Sequence, residues 1–65
     1  MTLREQVEQA RQLGIETAHM HVHWAREALD EAMNEWQTLG YDDGAFAVIE
    51  AFHDGRSRAK VAAVA

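Results

Sequence analysis

Residues 19–24 read HMHVHW, three histidines alternating with Met20, Val22 and Trp24, and two periodicities compete for them. Taken alone, residues 17–24 alternate as a half-buried strand does. Ala18, Met20, Val22 and Trp24 fall on one side, and Thr17, His19, His21 and His23 on the other. A wider window reverses that reading. Ile15, Ala18, Val22, Ala25, Leu29, Ala32, Trp36 and Leu39 recur at spacings of 3, 4, 3, 4, 3, 4 and 3, the seam of a packed helix. No turn signal separates Trp24 from Leu39, so the helical reading takes precedence and the chain is expected to be all-α.

The glycines then suggest where helices end. Gly14, with Ile15 after it, suits the left-handed position that closes a first helix, and Gly40 followed by Tyr41 repeats the pattern. Thr2 and Glu5 form a T-x-x-E capping box at the start of that first helix, whose apolar stripe is Leu3, Val7, Ala10 and Leu13. Carried back past Gly14, the middle helix's stripe would bury Arg11 and Glu8, so two helices are expected rather than one. Asp42 suits the cap of a third helix, Asp43 its first turn, and Gly55 its end. The expected fold is three helices, at about 3–13, 16–39 and 43–54. Two short helices fold back along a long central one, and a second copy completes the bundle. Residues 1–54 form one domain, and 55–65 form a basic, alanine-rich tail, frayed or briefly helical.

Composition narrows the class of protein. The 65 residues include no cysteine and no proline, which rules out disulfides and thiolate chemistry. A chain this short builds a marginal core alone. No apolar run is longer than that of residues 45–49, far below the roughly 20 residues of a membrane span. Residues 2–13 are charged throughout, unlike a signal peptide, so a cytoplasmic protein is expected. Residues 1–54 hold all eleven acids and three bases, a net charge of −8, whereas residues 55–65 hold Arg56, Arg58 and Lys60 and no acid. An acidic body repels phosphate backbones and disfavours nucleic acid as a partner.

The third helix is apolar almost all round, with Ala45, Phe46, Ala47, Val48, Ile49, Ala51 and Phe52 interrupted only by Glu50. One neighbouring helix cannot cover such a surface, so a protein partner or a second copy is expected to do so. Met20, Trp24 and Ala28 form an i, i+4, i+8 row beside the main seam, and large aromatics in such places often anchor interfaces. Phe46 adds apolar surface, while Glu31 and Glu35 add charge on the wet face. These six residues are the candidate partner-binding set.

Catalytic motifs are missing. Ser57 is the only serine and has no nucleophile-elbow context, and the isolated glycines make no phosphate loop. No enzyme and no cofactor are expected. On a helix His19 and His23 share a ridge that Glu16 and Glu27 flank, a geometrically acceptable but unspecific metal site. Histidines at a subunit contact would alternatively loosen it on protonation near about pH 6.

The leading expectation is a small acidic interaction module that regulates or inhibits a larger protein, a nucleic-acid-handling protein being one such target. The alternatives are an assembly subunit of a homo-oligomer, a dimeric DNA-binding regulator, and a metal-binding helical protein using His19 and His23.

Overall fold

A computed structural model describes residues 1–37 and 43–64, and these form three helices: α1 (Leu3–Glu16), α2 (Val22–Glu35) and α3 (Asp43–Val64). The all-α expectation holds. The arrangement differs from the expected one, because the longest helix is the third and the middle one starts only at Val22.

Helix α1 begins as its sequence requires. The Thr2 hydroxyl accepts from the Glu5 backbone N–H at 3.2 Å, and the Glu5 carboxylate accepts from the Thr2 N–H at 3.2 Å. The Thr2 backbone N–H and the Thr2 hydroxyl, which donates to the same carboxylate at 3.0 Å, hold the Glu5 carboxyl below its ordinary pKa. A depressed carboxyl pKa adds stability above the unfolded value, and that contribution disappears as pH falls through the folded one.

Gly14 and Gly55 do not end helices. Each lies inside one, and no glycine among the described residues has a positive φ. Their role is to let two backbones touch. A Cβ built on Gly14 would lie 2.1 Å from the Phe52 carbonyl oxygen, and one on Gly55 would lie 2.2 Å from the Arg11 carbonyl oxygen. With Ala10 and Ala51 these glycines make an A-x-x-x-G pair, Ala10–Gly14 on α1 and Ala51–Gly55 on α3, and all four residues are buried. Small residues four apart form a flat strip on a helix, and two such strips allow close approach. The end expected at Gly55 is therefore overridden by tertiary packing, and α3 continues to Val64.

Contacts along the two helices rise together. Val7 shares a groove with Ala47 and Ala51, Arg11 meets Asp54 and Gly55, and Gly14 meets Phe52 and Arg56. Helices α1 and α3 therefore run in the same direction, and α2 returns between their ends. The molecule extends 35 × 20 × 17 Å. Its long axis matches the roughly 33 Å expected of the 22-residue α3.

The core is small. Ala10, Ala25, Leu29, Val48, Ala51 and Phe52 are buried together, with Val7, Leu13, Met33, Trp36 and Ile49 packed around them. Three of these six buried residues are alanines, so closeness of backbones substitutes for bulk. Helix α2 contributes Ala25 and Leu29, two members of the expected seam, and packs less extensively than α1 and α3 pack on each other. The seam fails before Ala25. Ile15 and Val22 are each more than 40% exposed, because the helix they were expected to share is broken between them.

Trp36 caps α2, and Gln37 follows it with φ 58°, the left-handed position where glycine is usual. The expected closure at Gly40 and the cap at Asp42 lie outside the described residues.

Gly14→Ala and Gly55→Ala separate packing from termination. Alanine inside a helix ordinarily stabilises by about 0.5–1 kcal/mol. Here each methyl meets backbone, and a loss of about 2 kcal/mol or more is expected. Urea unfolding of the single variants reads the sign directly, and a gain in stability at either site contradicts the close approach.

Candidate interaction surface

The HMHVHW stretch is a junction, neither strand nor mid-helix, and its geometry decides which candidate residues share a surface. Thr17 ends α1 by turning its hydroxyl back onto the Leu13 carbonyl at 2.8 Å. The Met20 N–H then closes a tight turn onto the Thr17 carbonyl at 2.9 Å. In a continuous helix the Thr17 and Met20 carbonyls would accept from His21 and Trp24. Instead both take the Arg56 guanidinium, Nη1 on Thr17 and Nη2 on Met20 at 2.9 Å.

Arg56 is 5% exposed. Its charge sits just past the C-terminal end of α1, where the negative end of the helix dipole favours a cation. Its Cζ lies 6.0 Å from the Phe52 ring centroid. Arg56 was expected in a solvated basic tail. The break at residues 17–21 and the burial of Arg56 are one arrangement, in which a side chain distant in sequence captures carbonyls that the seam pattern assigns to a helix.

His21 starts α2. Its φ and ψ of −58° and 141° are extended, and its Nδ1 accepts from the His23 N–H at 3.1 Å, an imidazole acting where Ser or Asp is usual. His23 reaches forward, with Nε2 3.5 Å from Glu27 Oε1, and its ring meets Trp24 edge-on at 5.5 Å between centroids. His19 is exposed in the turn.

The break takes apart the candidate metal ridge. Glu16 is the last residue of α1 and accepts from Gln12 Nε2, His19 is in the turn, and only His23 and Glu27 remain paired on one helix. Among the described residues no three His, Asp or Glu side chains gather as a metal site.

Of the candidate partner-binding residues, Trp24, Ala28, Glu31 and Glu35 stay on one ridge of α2, at spacings of 4, 3 and 4. That ridge lies about a third of a turn from the core-facing Ala25, Leu29 and Trp36. Trp24 is 59% exposed, Ala28 is half-buried, and both glutamates are exposed. Glu27 and Asp30 extend the acidic surface, Asp30 paired with Arg26 at 3.1 Å.

Met20 leaves the row. It is half-buried in the turn, and its carbonyl is held by Arg56. Phe46 is 65% exposed but lies ten residues before Arg56 on α3, roughly 15 Å along the helix from the end where Trp24 lies. Phe46 and Trp24 therefore do not form one patch.

A concavity lies between α1 and α3. It is an open groove of about 430 Å³ lined by Val7, Arg11, Ala47, Glu50, Ala51 and Asp54. Arg11 Nε lies 3.4 Å from Asp54 Oδ2, and Arg58 Nε lies 2.8 Å from the same oxygen. Partly exposed pairs of this kind contribute little stability. Among the described residues no helix is long and apolar enough to cross a membrane.

Comparison of the chain with protein-family models, curated proteins and solved structures found no match.

Arg56→Met keeps the buried stem and removes the donors. It leaves two carbonyls without their cation, with an expected loss of about 1.5–3 kcal/mol in urea unfolding. Arg56→Lys, which cannot fork between two acceptors, should recover only part of that loss. A change below about 0.5 kcal/mol for Arg56→Met would show that the turn holds without the clamp.

Proposed function

We propose that this protein is a small helical interaction module that regulates or inhibits a larger protein. The outer ridge of α2, Trp24, Ala28, Glu31 and Glu35, docks on a basic, partly apolar surface of its partner. The observation that carries this reading is the exposure of Trp24. A tryptophan that is 59% accessible costs apolar hydration in the isolated chain, and its acidic neighbours supply the steering that opposite charge gives to association. Interfaces concentrate their binding energy in such aromatic anchors ringed by polar groups.

The DNA-binding alternative loses one of its three tail bases to the α1–α2 turn, leaving Arg58 and Lys60 exposed. Assembly into a homo-oligomer is the second reading, favoured by the exposed Val22 and Val61.

Affinity capture with immobilised wild type, Trp24→Ala, and Glu31→Lys with Glu35→Lys tests the regulatory reading. The same partner should be retained by wild type, lost with Trp24→Ala, and weakened at least tenfold by the double charge reversal. A partner held equally by all three forms counts against this ridge.

A further inference from the structure

Carried forward, the register that sets Gly14 beside Phe52 and Arg56 brings the end of α1, at Glu16, abreast of Ser57. Residues 58–64 of α3 then run past the end of α1, an overhang of roughly 10 Å. Lys60, Val61, Ala62 and Ala63 are all exposed. Two helical turns standing alone in water are marginal, because most helical stability in proteins comes from packing.

Large apolar side chains gather at the same end. Ile15 closes α1, Val22 and Trp24 open α2, and Val61 is on the overhang; their exposures run from 42% to 67%. Val22 is the informative member. It continues the buried Ala25 and Leu29 stripe toward the interior side of α2, yet it is 47% exposed, so the core face of α2 extends beyond what this chain covers. The charges at this end are complementary. The overhang carries Lys60 and Arg58, the latter also reaching Asp54 at 2.8 Å, and residues 55–65 hold no acid, while α2 presents Glu27 in its second turn, beside His23, and Asp30 and Glu31 in its third.

We infer that a second copy of this chain covers this end in a two-fold dimer. Each α3 overhang lies across the start of the other copy's α2. Val61 packs near Val22 and Trp24, and Arg58 and Lys60 face Glu27 and Glu31. The contact is isologous, since each copy contributes both the basic overhang and the acidic outer side of α2, and two such contacts close without leaving a free end. The arrangement needs no other protein, but it shares Trp24 and Glu31 with the ridge of the regulatory reading.

The test uses charge-swapped full-length chains. In sedimentation at low salt, wild type should have twice the chain mass. Arg58→Glu with Lys60→Glu should be monomeric at the same concentration, and so should Glu27→Lys with Glu31→Lys, each retaining wild-type helical circular dichroism. Mixing the two variants should restore the doubled mass, because each reversed overhang then meets a reversed helix start. The inference is overturned if wild type stays monomeric, if either double variant remains a dimer, or if the mixture fails to pair while both variants stay folded. Trp24 belongs to both surfaces, so loss of partner capture by Trp24→Ala bears on the regulatory reading alone only where the doubled mass is retained.

Discussion

Two backbones in this protein touch where no side chain intervenes, and the rest of the structure follows from that contact. At Gly14 and Gly55 a single added carbon would meet a carbonyl oxygen at close to 2 Å. The A-x-x-x-G strips of α1 and α3 press together there, and the largest fully buried side chains among the described residues are Phe52, Leu29 and Val48. A short chain without disulfides has few ways to gain cohesion, and close backbone approach is one of them. The same contact sets α1 and α3 side by side in one direction. That leaves α2 to return between their ends and lets α3 overshoot.

Arg56 turns this pairing into a three-helix arrangement. It lies one residue after Gly55, so the approach that needs the glycine also delivers the guanidinium to the end of α1. There it meets carbonyls that cannot be satisfied within the helix. Burial of a cation is tolerable when its donors and a favourable dipole compensate it. The turn held in this way makes His21 the first residue of a new helix and leaves Trp24 on its outer side.

Much of the local structure was legible in the sequence. The capping box at Thr2 and Glu5, the all-α class, and the Ala25, Leu29 and Trp36 portion of the seam follow from patterns within a few residues. The break at HMHVHW was not legible, because its cause is Arg56, 36 residues beyond Met20. Gly14 and Gly55 were misread for a related reason. A glycine that ends a helix and a glycine that lets another helix approach look alike until its neighbour in space is known. The recurrence of alanine four residues before each, Ala10 and Ala51, was the available signal. Among the candidate surface residues, Trp24, Ala28, Glu31 and Glu35 stayed together because they lie within one helix. Met20 fell in the break, and Phe46 is on another element, so both parted from the set.

Nuclear Overhauser contacts from the glycine α-protons test the close approach most directly. The account predicts strong cross-peaks from Gly55 Hα to Arg11 Hα and from Gly14 Hα to the backbone of Phe52 and Arg56, with continuous helical contacts across residue 55. Glycine α-protons that see only their own helix, or a helix that ends at Asp54, would contradict it.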